Sequence, residues 1–104
     1  MTRLFLVTQG DRKVWVAALV DEDMWTYVGN TGKFHLNEGI REDYFMHSTA
    51  QYAEIGVTEA KRLIAAGVGQ VDADKKPDVV QGWLDDQEAM DPEVVFASMI
   101  ADLA

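Results

Sequence analysis

The chain has 104 residues, 48% hydrophobic and 26% charged, the balance of one folded domain rather than of a disordered or membrane-embedded chain. It carries 9 Lys and Arg against 18 Asp and Glu, a formal charge of −9, which disfavours direct binding to nucleic acid or to an anionic membrane because both share its sign. With no cysteine there is no disulfide framework, thiolate zinc site, iron-sulfur cluster or cysteine nucleophile, so a hydrophobic core must hold the fold.

The N-terminus has one basic residue, Arg3, and a short apolar run, Leu4 to Val7, that stops at Thr8-Gln9-Gly10-Asp11. The run is too short for the apolar part of a signal peptide or for a bilayer span, and a cytoplasmic location is expected. Period-two alternation predicts strands over Arg3–Thr8 and Lys13–Val20, reversed at Gln9-Gly10-Asp11-Arg12. Both faces of the second strand are apolar, which marks it as central. After the acidic turn Asp21-Glu22-Asp23, Met24–Val28 and Lys33–Leu36 form a second hairpin around Gly29-Asn30-Thr31-Gly32. The expectation is an antiparallel meander of about four strands rich in Val, Trp, Tyr and Phe.

From Asn37 the period changes to helical, with Asn37 as cap, Glu38 in the first turn and Ile40, Tyr44 and Phe45 facing the core. Gln51–Ile55 is a short fifth strand candidate. Thr58 is the expected cap of a helix over Glu59–Ala66 that stops at Gly67. Gly67–Lys76 has a linker-like composition. Two helices follow, each opened by a proline suited to the first turn: Pro77 to about Gln87, with Val79, Val80, Trp83 and Leu84 as its apolar stripe, and Pro92 onward, with Val95, Phe96, Met99, Ile100 and Leu103. The fold class is therefore α+β: one domain over residues 1–104, with 1–36 mainly strands, 37–66 mixed, and 77–104 an acidic helical pair.

Motif by motif, the chemistry is incomplete. Gly29-Asn30-Thr31-Gly32-Lys33 looks like the end of a phosphate-binding loop. It lacks the first glycine, where Tyr27 stands, and the hydroxyl residue after the lysine, where Phe34 stands, so it reads as a hairpin turn. Asp72-x-Asp74 begins like a calcium loop, but Lys76 occupies the next ligand position and Trp83 the last. His35 and His47, with Glu38, Glu42 and Asp43 nearby, are the only candidates for a metal or general-base site, yet they match no ligand spacing. Their plainer roles are a strand histidine between two core residues and a histidine at a helix C-terminus. The basic residues are few and dispersed and form no groove interleaved with aromatics.

Charge placement is more informative. Residues 77–104 hold seven acids and no base, so seven of the nine net negative charges lie in that segment. An apolar stripe beside an acidic face suits a docking device, in which acid steers a basic partner and the stripe supplies binding energy. The stripes equally suit packing on the sheet and on each other. The run Tyr27 to Asn37, followed by Asp43-Tyr44-Phe45, is similar to small proteins of actinobacteria and their phages. The resemblance contains no catalytic motif and implies no activity.

The reading is a non-enzymatic protein-interaction module, accessory or regulatory, binding a protein partner or a second copy of itself through Trp83, Phe96, Met99, Ile100 and Leu103, with Asp85, Asp86 and Glu88 supplying charge. It implies no cofactor, no metal, no membrane and no direct nucleic-acid binding. Removing residues 77–104 is then expected to abolish binding and leave the sheet folded. Two alternatives remain: an acidic nucleic-acid mimic that inhibits a DNA-binding protein, and a small hydrolase or metal-dependent enzyme using His35 and His47.

Overall fold

Alternating apolar residues over the first third produce β1 (Thr2–Gln9), β2 (Arg12–Val20), β3 (Asp23–Val28) and β4 (Lys33–Leu36), joined as antiparallel hairpins. The structure is a computed structural model that describes residues 1–103, with side chains to residue 101. The fifth strand, β5 (Gln51–Ile55), forms and pairs antiparallel with β1, so the sheet order is β4-β3-β2-β1-β5. Gly10 at φ +59° and Asp21 at φ +55° make the first two reversals, the left-handed conformation that short hairpin loops need.

Because β2 is central and apolar on both sides, both sheet faces are covered. One face carries Leu4, Val16, Ala18, Tyr27 and Phe34, packed under α2 (Val57–Ala65) through Ala60 and Leu63 and under α4 (Pro92–Leu103) through Val95 and Phe96. The opposite face carries Phe5, Val7, Ala17, Leu19 and Met24. Over it lie α1 (Glu38–Glu42), which runs into a π-helical turn at Asp43–His47, and α3 (Pro77–Leu84). The first contributes Ile40 and Tyr44. The second places Trp83 edge-on to Trp15 at 6.2 Å and against His35 at 6.1 Å.

The two C-terminal helices are thus present but divided between the faces. The chain crosses past β4 between them, where the Phe34 and Met90 backbones bond reciprocally at 2.8 Å each way. Val95 and Phe96 are buried, so residues 77–104 share with α2 the cover of one face of the sheet.

Local signals hold in part. Asn37 Oδ1 accepts from the Ile40 amide at 3.0 Å, capping α1. The α2 cap is corrected: the helix starts at Val57 after Gly56, and Thr58 lies inside the first turn. Its stop is as expected, with Gly67 at φ +94° and Val68 N–H bonded to Leu63 O at 3.1 Å. Phe45 does not face the core but is 49% exposed, because the wide π-turn shifts the helical phase just after Tyr44. The stretch from Gly67 is no free linker. Asn30 clamps Val71 through Nδ2 to its carbonyl (2.8 Å) and Oδ1 from its amide (2.9 Å), and Gly29 N–H bonds Gly69 O at 3.0 Å. Gly69 is required there, since a Cβ would meet the Tyr27 carbonyl oxygen.

Candidate functional site

The proposed interaction residues fall into two groups. Phe96 is buried, edge-on to Phe34 at 6.2 Å. Met99 is half-buried against the same cluster, and Trp83 is half-buried between Trp15 and His35. These three hold the helices to the sheet. Ile100 is 57% exposed, Asp85 and Glu88 are exposed, and Asp86 is half-buried. The Leu103 side chain lies outside the described residues. Of the α3 stripe, Val80 is buried whereas Val79 and Leu84 are 47% and 57% exposed.

Helix α4 carries a second apolar surface that its inward stripe did not announce. Val94 and Ile100, each 57% exposed, flank the exposed Ala97 and Ala101. Residues 94, 97 and 101 recur at helical spacing on the side away from the sheet. A helix apolar all round is ordinarily enclosed on all sides, and α4 has the sheet on one side only. Its surroundings are acidic, with Glu93 exposed on its first turn and Asp91 just before it, paired with Lys33 at 3.7 Å.

The two histidines do not share a site. His47 is exposed, with Nε2 3.4 Å from Glu42 Oε1. His35 is 1% exposed: its Nδ1 donates to Asp86 Oδ2 at 2.9 Å, and its Nε2 lies 2.7 Å from Thr31 Oγ1. The two rings have no partner in common, and among the described residues no group of three His, Asp or Glu side chains is placed to hold a metal ion. The two-histidine site is therefore corrected. The expected neighbours of His35 also change, since Phe34 is buried but Leu36 is 37% exposed. What sequence reasoning missed is the partnership with Asp86 and Thr31, an alignment of hydroxyl, imidazole and carboxylate in which His35 and Asp86 stand 51 residues apart. The Asp86 carboxyl is held below the usual carboxylate range, first by the His35 hydrogen bond and then by the Glu88 amide. Beside this relay is a cavity of about 250 Å³ lined by Asn30, Thr31, Lys33, Trp83, Leu84 and Asp86.

A second network fixes the π-turn. Asp43 accepts from the Thr49 hydroxyl and amide, the Ala50 amide and the Tyr52 hydroxyl. The Thr49 and Tyr52 bonds hold its carboxyl far below the usual range. Burial, and then that carboxylate, push the Tyr52 phenol up. Around the turn a cavity of about 570 Å³ is lined by Glu22, Glu38, Arg41, Glu42, Phe45 and Met46. Arg41 is already engaged, donating to Glu22 O at 2.6 Å and lying over the Phe45 ring.

Comparison with protein families, with curated proteins and with solved structures finds no match, so the functional reading is carried by these residues. None of the described helices is long and apolar enough to cross a membrane.

Proposed function

We propose that this protein is an acidic interaction module whose outer α4 face docks a basic amphipathic helix of a partner protein. The observation that carries it is the doubly apolar α4: Val95 and Phe96 anchor the helix inward while Val94 and Ile100 remain 57% exposed outward. Charge complementarity selects the partner. The acids beside this face are Glu93 on the first turn of α4 and Asp91 just before it, so a second copy laid on this face would oppose like charges, whereas Lys and Arg flanking an apolar stripe would be attracted. The acids do not form one continuous row, since Asp78 belongs to α3 and Glu93 to α4 on the other face of the sheet. That division favours the docking reading over nucleic-acid mimicry.

The test uses the full chain and a fluorescent Leu/Lys amphipathic peptide. Saturable binding at about micromolar Kd is expected, as for a small transient interface. Val94→Glu with Ile100→Glu should remove it without altering the circular dichroism spectrum. Undiminished binding to that variant refutes the site, and a dimer by light scattering refutes the choice of partner.

A second reading is favoured by the Thr31–His35–Asp86 relay alone. In it the Thr31 hydroxyl attacks an acyl carbon while His35 Nε2 takes its proton and Asp86 orients the ring; the bond from the acyl carbon to the leaving group breaks, His35 passes that proton to the departing group, and water later releases the acyl group by the same route. The test is labelling by a fluorophosphonate, which must occur on Thr31 and vanish in His35→Asn; an unlabelled wild-type chain refutes it.

A further inference from the structure

The basic residues, dispersed in sequence, are not all dispersed in space. Arg12, at the start of β2, meets Lys75 and Lys76, just before α3, around a cavity of about 540 Å³ that Val14, Trp15, Gln70, Val71 and Asp72 complete. Arg3, Lys33, Arg41 and Arg62 are each ion-paired with a carboxylate. Arg12, Lys75 and Lys76 have no such partner within 4.0 Å among the described residues, although the chain as a whole is at −9. Three unpaired cations converging on one cavity of an acidic protein leave a local positive field that an anion would neutralise.

Two further features sharpen the ligand. Helix α3 begins at Pro77, immediately after the lysines, with no side-chain cap, so the positive end of its dipole adds to their field. Asp78 in its first turn is the opposing charge there, and Asp72 is the acid within the cavity itself. The Asp72 side chain is turned to its own loop, accepting from the Asp74 amide at 2.9 Å. The remaining wall is apolar and aromatic, from Val14, Val71 and the half-buried Trp15, next to the Gln70 amide, which makes no side-chain hydrogen bond among the described residues. An amide both donates and accepts, as recognition of a heterocycle edge requires. The volume lies within the ~300–1,000 Å³ of small-molecule sites. The cavity is preformed, because Asn30 and Gly29 pin the segment that carries Gln70, Val71 and Asp72.

We infer that this cavity binds a nucleotide, a phosphate-bearing aromatic ligand, with Arg12, Lys75 and Lys76 on the phosphates and the base against Trp15 and Gln70. This is separate from the docking face on α4. The experiment titrates ADP, adenosine and inorganic phosphate into the full chain, following tryptophan fluorescence and the Trp15 indole N–H resonance. ADP should saturate with Kd below about 1 mM, and adenosine and phosphate should each bind at least about tenfold more weakly. Lys75→Glu with Lys76→Glu should weaken ADP at least about tenfold. Lys61→Glu with Arg62→Glu, an equal change in net charge elsewhere, should leave ADP affinity within about twofold. No saturation by about 5 mM ADP overturns the site. Phosphate binding as tight as ADP overturns the aromatic ligand, and equal effects of the two charge reversals overturn the pocket as the locus.

Discussion

Helix α4 offers a paired perturbation that separates its two faces. Phe96 is 6% exposed and packs edge-on to Phe34 with Lys61 Nζ 5.8 Å from its ring centre. Truncating a buried phenylalanine removes its transfer free energy and leaves a cavity, at ~3–5 kcal/mol, and an aromatic pair adds ~0.5–1.5 kcal/mol. Phe96→Ala should therefore cost about 4 kcal/mol, a large part of the ~5–15 kcal/mol by which a domain is stable, and lower Tm by roughly 20 °C. Ile100, four residues on, is 57% exposed. Less than half of the ~1.5–3 kcal/mol for burying such a side chain is at stake, and alanine's better helix propensity returns a few tenths. Ile100→Ala should cost below about 1 kcal/mol in the isolated protein. Urea unfolding followed by tryptophan fluorescence and far-ultraviolet circular dichroism measures both. If Ile100→Ala costs as much as Phe96→Ala, the outer face is packed within the chain, and the reasoning that leaves it open to a partner fails.

Three other outcomes follow from the packing and the networks. Gly67 and Gly69 share φ near +94°, but only at Gly69 would a Cβ strike backbone, the Tyr27 carbonyl; Gly69→Ala should destabilise by at least about 1 kcal/mol more than Gly67→Ala, and equal losses in thermal unfolding would refute the close approach. A double-mutant cycle of His35→Leu and Asp86→Ala should give a coupling of about 2 kcal/mol, since the side chains are only 2% and 27% exposed and a hydrogen bond to a charged group is worth roughly that; additive losses would refute it. Asp43 has its folded pKa lowered by the Thr49 and Tyr52 bonds, so its contribution is fully present above the unfolded value near ~3.9 and lost as pH falls below it toward the folded value. Asp43→Asn should therefore flatten the acid limb of stability against pH; an unchanged slope below about pH 4 would show that the network adds nothing there.

The strands were legible because alternation reports burial directly: Leu4, Val16, Ala17, Ala18 and Met24 are all buried as the pattern implied. What alternation does not encode is which face a later helix covers. The stripes of α3 and α4 look alike in sequence, and only the crossing at Met90 sends one to each side of the sheet. The same limit applies to the widths of those stripes. A short α3 touches the sheet through Trp83 and buries Val80, leaving Val79 and Leu84 outside. His35 could be placed on a strand, but its partner Asp86 lies 51 residues away and no local spacing announces it. The glycines of Gly67–Lys76 suggested looseness by composition, whereas Gly67 ends a helix and Gly69 allows two backbones to meet. The cation cavity was invisible for that reason, since it exists only once this segment docks beside the start of β2.

The Phe34–Met90 pairing has a consequence for how the protein behaves at high concentration. It occupies the outward N–H and C=O of Phe34 in the middle of the four-residue strand β4, which leaves little ladder on that side for another molecule to copy. The opposite rim, β5, carries no further strand among the described residues. Any added strand, from a partner or from a misassembling copy, would enter alongside Gln51–Ile55. There Glu54, locked to Arg3 at 2.8 Å, puts charge on a five-residue segment. Short charged edges resist templated growth, so the sheet is guarded at one rim by its own backbone and at the other by an ion pair.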